Sequence, residues 1–230
     1  MDLSTLQSRV NYRRRDTTEG FVSSDEIKDY LNDGLQIVQS EDDFDWSKTS
    51  AQFTYTDGSS KYALSAIATD IKYPIDIFYT DDYLFEQVQP SEFRTLSAIN
   101  ANNIYAVEGD YLLVDTSFGG ATLDFYYYST NIAKTSGGSW IANLSTSTDE
   151  PLMPSRHQIM LVDYADAMCN RKEGLVDDYQ IAYSEFMSLL RKMKGDYPSV
   201  KSRPLKRMKH INEFAARRSI PFGKGNPLNS

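Results

Sequence analysis

Gln52–Ser65 reads QFTYTDGSSKYALS. Phe53 and Tyr55 alternate with polar neighbours, Asp57-Gly58 is a turn signal, and a second short strand follows through Tyr62 and Leu64. Before this stretch apolar residues recur every three or four positions; within it they recur every two. That change of period decides the fold, because it separates helical ends from a β centre.

The β grammar continues to about Ser129. YPIDIFYTDDYLFEQVQ (Tyr73–Gln89) alternates on both sides of Asp81-Asp82 and reads as a hairpin. IYAVEGDYLLV (Ile104–Val114) pivots on Glu108-Gly109-Asp110, and ATLDFYYYS (Ala121–Ser129) is a last strand rich in β-favouring aromatics. Strands at such short intervals predict an antiparallel sandwich or small barrel. NIAKTSGGSWIANLSTSTDEP (Asn131–Pro151) is a Gly/Ser/Thr-rich loop, long for a compact domain. It is expected to be mobile or ordered by a neighbour, with Trp140 and Ile141 unusual for a solvated segment.

Four helices flank this block. Asp2 caps a first helix carrying Leu3, Leu6 and Val10, with Arg13, Arg14 and Arg15 at its cation-favouring end. Ser23 and Glu26 form a capping-box pattern before the face Ile27, Leu31, Leu35 and Val38. That helix runs out in SEDDFDW (Ser40–Trp46). Pro154 opens a third helix with a stripe of Ile159, Val162, Ala165 and Cys169, widened by Leu161 and Met168. Gly174 breaks it. A fourth follows from Asp177 or Asp178, with Tyr179, Tyr183, Phe186, Leu190 and Met193 on one face. The class is α+β: a four-helix core (1–49 and 150–195), an inserted β domain (50–130), a loop (131–149) and an extended basic tail (196–230).

Chemistry-bearing residues are sparse. The two histidines, His157 and His210, have no metal-ligand spacing around them. Asp42, Asp43 and Asp45 lack the glycine and terminal Glu of a calcium loop and read as a solvated helix end. Asp163 and Asp166 share a helix face and read as an exposed acidic face, or as partners of a neighbouring subunit; a metal-dependent nuclease is the enzymatic alternative. FGKGNP (Phe222–Pro227) lacks Walker spacing, and Cys169 falls on a core stripe. No catalytic, cofactor or metal site is expected. With one cysteine there is no internal disulfide framework, and no apolar run approaches the ~20 residues of a membrane span. A soluble protein of a reducing cytoplasm is expected.

Charge is divided unevenly. The chain carries −8, yet from Arg191 onward eleven Lys and Arg meet two acids, or +9, leaving −17 on Met1–Leu190 with thirteen bases and thirty acids. Within the basic end, Arg203, Lys206, Arg207, Arg217 and Arg218 alternate with Leu205, Met208, Ile211, Phe214 and Phe222. A phosphate-binding arm needs no such anchors; an arm that docks into a protein groove does.

Three stretches, FVSSDEIKDYLNDGLQIV (Phe21–Val38), IYAVEGDYLLV (Ile104–Val114) and LVDYADAMCNRKEGLVDDYQIAYSEFMSLLRKM (Leu161–Met193), together resemble the head–tail connector adaptor proteins of tailed bacteriophages. The likeness covers roughly residues 1 to 195. It implies a structural virion protein of the neck, assembled in the host cytoplasm, in a ring of twelve copies. Its partners would be the portal protein, tail or nozzle proteins and its own copies, with viral DNA passing through unbound, no cofactor and no enzymatic activity. The ten tail residues named above would then dock on portal subunits. The acidic body would repel phosphate in the channel, with the last helix and Asp42–Asp45 as lumen candidates. Alternatives are another head-completion or tail-terminator ring, or a carbohydrate-binding module built on the Tyr-rich sandwich.

Overall fold

The computed structural model describes residues 1–14, 21–56, 59–79, 83–98, 103–117 and 119–197. Among these the chain is mixed α+β. The helices are α1 (Leu3–Arg14), α2 (Ser24–Glu41), α3 (Leu64–Ile67), α4 (Pro90–Ala98), α5 (Ile159–Glu173) and α6 (Val176–Asp196). The strands are β1 (Lys48–Thr54), β2 (Lys61–Ala63), β3 (Ile71–Tyr79), β4 (Tyr83–Leu84), β5 (Glu86–Gln87), β6 (Ile104–Glu108), β7 (Tyr111–Asp115), β8 (Thr122–Ser129), β9 (Ala133–Lys134), β10 (Trp140–Ile141) and β11 (Glu150–Pro151).

Local signals set the helix ends. Asp2 Oδ1 accepts from the Thr5 amide at 2.8 Å. Ser23 and Glu26 close a reciprocal capping box at the start of α2. Gly174, at φ +79°, ends α5 in the left-handed conformation that a Cβ disfavours. Leu3, Leu6 and Val10 of α1, Ile27, Leu31, Leu35 and Val38 of α2, and Phe186, Leu190 and Met193 of α6 lie in one buried cluster with α5. On α5 Leu161, Val162, Ala165 and Cys169 of the expected stripe are buried, and the buried face is wider than expected. Met160 and Tyr164 are buried as well, while Ile159 and Met168 are only partly covered. A short 3-10 turn, Ser155–His157, precedes the helix proper.

The β centre departs from expectation in pairing. Strands β1 and β2 flank the Asp57-Gly58 signal, itself outside the described residues, but they do not pair with each other. Strand β1 pairs with β8 in the sheet β1-β8-β3-β4, whereas β2 pairs with β7 in the sheet β2-β7-β6-β5. The chain therefore crosses between sheets where a hairpin was expected. Leu64, expected on the second strand, starts the single helical turn α3. The Tyr73–Gln89 hairpin is present but brief. Phe78↔Leu84 and Tyr79↔Tyr83 pair, then at Phe85 the chain changes sheet and β5 runs parallel to β6. Helix α4 makes that parallel crossover, so the block is not wholly antiparallel. The β6–β7 hairpin forms as read, with Gly109 at φ +59° in its turn. Ile77, Leu123, Phe125 and Tyr127 of one sheet meet Tyr105, Leu112 and Val114 of the other in a second buried cluster. The sheets face each other as a sandwich; among the described residues they do not close into a barrel.

The segment expected to be mobile or ordered by a neighbour folds on its own chain. Strands β10, β9 and β11 form a small sheet, and Ile132, Ala133, Leu144 and Met153 are buried against the helices. Asn32 of α2 donates to the Leu144 carbonyl at 3.0 Å and accepts from its amide at 2.8 Å, doing for the loop what a neighbouring strand would. Leu3 and Ser4 amides donate to the Asp149 and Ser147 carbonyls. The sandwich is tied to α2 by Gln39, whose Nε2 donates to the Ser129 carbonyl at 2.7 Å, and by Lys72. The Lys72 ammonium donates to the Gln39 and Asp42 carbonyls and pairs with Asp43 at 2.9 Å.

Candidate functional site

Every residue expected to dock on a portal, from Arg203 to Phe222, lies outside the described residues, as does His210. The structure does place the root of that segment. Tyr197, the residue after α6, sits edge-on to Trp46 at 4.8 Å and to His157 at 5.7 Å. The Arg156 guanidinium lies 4.9 Å from its ring centre. Trp46 is itself stacked on Phe44 at 4.3 Å. A 3-10 turn, Asp45–Ser47, before β1 and the turn Ser155–His157 before α5 therefore meet at Tyr197, the last described residue. Nothing local in the sequence links Trp46, His157 and Tyr197; their spacing is tertiary.

The expected acidic features change character. Asp42 and Asp43 are buried, with Asp43 held by Lys72, so they are neither a solvated helix end nor available to line a channel; Asp45 stays exposed. Asp163 is 2% exposed and ion-paired with Arg13 of the same chain, not on an exposed face or with another subunit. Burial pushes its carboxyl above the usual range, and the Arg13 charge opposes that. Arg14 pairs with Glu173 in the same way, so α1 is clamped to α5 by two arginines read only as helix-end cations. Cys169 is buried and its thiol is pushed up to about 11 by desolvation. His157 is held below its ordinary range by burial and by the Arg156 charge, with Asp196 at 3.5 Å opposing them, and Arg156 Nε donates to His157 Nε2 at 3.0 Å. Among the described residues no group of three or more His, Cys, Asp or Glu is placed to hold a metal. None of the described helices is long and apolar enough to cross a membrane.

Two concave features stand out among the described residues. One is a cleft of about 470 Å³ between α1, α5 and the start of α6, at the end of α6 opposite Tyr197. Its walls carry Arg13, Arg14, Asp166, Asp178 and Glu185, and its rim carries Phe21, Leu175 and Ile181. Tyr12 and Val176, next in sequence to the lining residues Arg13 and Leu175, are also exposed. The other is a groove of about 560 Å³ on the outer face of the β1-β8-β3 sheet, lined by Lys48, Ser50, Asp76, Phe78 and Tyr126. Tyr126 faces Phe78 edge-on at 5.3 Å, and burial raises the Asp76 carboxyl above its usual range.

Comparison with models of known protein families and with curated proteins returns no match for this chain.

Proposed function

We propose that this chain is a structural virion protein, an adaptor ring subunit that joins a phage portal to its tail around the DNA channel. The observation that carries this reading is the spatial organisation. The two helices before the strand block and the two after it contribute to one buried cluster, and the chain leaves that cluster at a pinned residue, Tyr197, into a strongly basic segment. In this reading α1, α2, α5 and α6 are the four-helix core, the sandwich is the insertion, and the segment beyond Tyr197 docks on portal subunits. The three stretches that resemble connector adaptors fold as α2, the β6–β7 hairpin and the α5–α6 pair, which supports the same reading. Apolar anchors such as Leu205, Ile211 and Phe214 would each contribute ~1.5–3 kcal/mol on full burial. Repetition around a ring multiplies a modest affinity. The channel would be lined by acids that stay exposed, among them Asp177, Asp178 and Glu185 of α6.

The test is a chain ending at Tyr197, mixed with portal rings and imaged by electron microscopy. The full chain should decorate the rings and the shortened one should not; equal decoration by both would remove the docking role. A head-completion or tail-terminator ring is the nearest alternative and differs in which ring is decorated. The outer groove with Tyr126, Phe78 and Asp76 favours one further reading, a glycan-binding module, since aromatic faces beside a carboxylate suit sugar rings. A glycan array probed with the full chain and with Tyr126→Ala decides it: binding lost in the variant supports that reading, and no binding by either chain removes it.

A further inference from the structure

We infer that strand β1 pairs edge to edge with β1 of a second copy of this chain, joining two sandwiches into one continuous sheet about a two-fold axis. The contact does not rest on the portal reading. It belongs to the chain outside the ring, because a ring closes through head-to-tail contacts and a two-fold contact is isologous. Strand β1 is an outer strand of the sheet β1-β8-β3-β4 and is seven residues long. The other outer strands among the described residues, β2, β4, β5, β10 and β11, have two or three. Strand β3, which β4 covers only at one end, is protected by Pro74 and by two register irregularities. Strand β1 has none of these devices. Its register with β8 is unbroken from Lys48 to Thr54, it contains no proline, and Lys48 at its first position is its one charge.

The backbone of β1 sets what fits against it. The Tyr55 amide, just after the strand, donates to the Ala121 carbonyl, so by alternation Thr49, Ala51 and Phe53 exchange bonds with β8. The Lys48 amide points the other way and donates to the Asp45 carbonyl. Ser50, Gln52 and Thr54 therefore turn their amides outward, where none of the three meets a backbone acceptor among the described residues. An extended strand presents donors and acceptors at that spacing. The strand is its own complement. Antiparallel pairing of two copies centred on Ala51 sets Ser50 against Gln52 and Lys48 against Thr54, so the outward-facing residues meet as hydrogen-bonded pairs. Ala51 then meets Ala51 at the axis in the narrow pair, where Cα atoms are about 4.5 Å apart and a small side chain fits. The two Lys48 ammonium groups fall at opposite ends of the pairing, so no like charges face each other. On the inner face Phe53 is only half-buried, and Thr49 of the second copy becomes its cross-strand neighbour.

The test is the oligomeric state of the full chain without portal, read by analytical ultracentrifugation. A dimer is expected. Ser50→Pro removes an outward amide and no bond to β8, so the far-UV circular dichroism should stay unchanged while the dimer dissociation constant rises about tenfold or more. Cysteine cross-linking reads the register. Ala51→Cys should give a disulfide-linked dimer, because the two introduced thiols meet at the axis; Thr54→Cys should not, since each Thr54 faces Lys48 of the other copy. Cys169 is buried and does not compete. A chain that stays monomeric at high concentration overturns the proposal. So does association that Ser50→Pro leaves unchanged, or cross-linking through Thr54→Cys equal to that through Ala51→Cys. Portal decoration is read separately: decoration by a strictly monomeric chain defeats this contact alone, and a dimer that fails to decorate portal rings defeats only the portal role.

Discussion

Asn32 occupies a position on α2 where the helical stripe alone would suit a leucine, yet its amide satisfies both backbone groups of buried Leu144. Replacing it with Leu leaves an orphan N–H and C=O. The expected loss is about 2–3 kcal/mol, read as a lower urea midpoint. Asp149 plays a comparable part in the same loop. Burial would raise its carboxyl, but the amides and hydroxyls of Thr146 and Ser145 outweigh that and bring it down to about 2. A carboxyl depressed in the folded state stabilises above its ordinary pKa and loses that contribution as pH falls toward the folded value. Unfolding monitored by tryptophan fluorescence should therefore show stability dropping between about pH 4 and pH 2, and Asp149→Asn should flatten that part of the profile. Arg13→Ala should cost about 3 kcal/mol, because it strands a buried Asp163, whereas a double change with Asp163→Asn should recover most of the loss. Equal costs for the single and double changes would show that the pair is not coupled.

Among the elements, α2 and α5 approach closely because Gly34 has no side chain. A Cβ there would meet the Tyr164 ring at 3.0 Å, and Tyr164 is itself wedged against Phe186 and Tyr183. Alanine gains about 1 kcal/mol of helix propensity, but overpacking costs about 1–3 kcal/mol. Gly34→Ala should thus be destabilising by about 1 kcal/mol, and a higher melting temperature would show that Tyr164 yields freely. The four flanking helices were readable from residues because caps, stripes and terminators act within a few positions; α3 and α4, inside the strand block, were not. The strands were readable as strands, but not their partners. Alternation in QFTYTDGSSKYALS reports which face is buried, not which sheet receives it, and β1 and β2 end in different sheets. The short crossover at Phe85 was hidden for the same reason.

At the scale of the molecule, charge and anchoring are divided. The body up to Leu190 carries −17 and the remainder +9. The described residues contain three buried clusters, so a chain ending at Tyr197 should unfold cooperatively with a urea midpoint close to that of the full chain. A large drop would mean that the basic segment packs on its own body. The shortened chain should also show no retardation of DNA in a gel shift, while any retardation by the full chain should vanish with added salt. Tyr197→Ala removes the edge contact with Trp46 and should loosen the root, at a cost of about 1 kcal/mol to the body.

By itself the sequence determined that two helices precede and two follow a strand block, though not that α3 and α4 interrupt it, and it determined the caps of α1 and α2, the break at Gly174, the β6–β7 hairpin and the separation of charge. These depend on period, on neighbours three or four residues away, and on composition. Tertiary structure alone decided which strands pair, that residues 131–149 fold on the helices, and that Arg13 and Arg14 clamp α1 to α5. It also made Asp42 and Asp43 interior, and brought Trp46 and His157 to Tyr197. Each of those outcomes joins residues far apart in the chain, where burial and pairing are set by three-dimensional proximity and no local pattern records the partner.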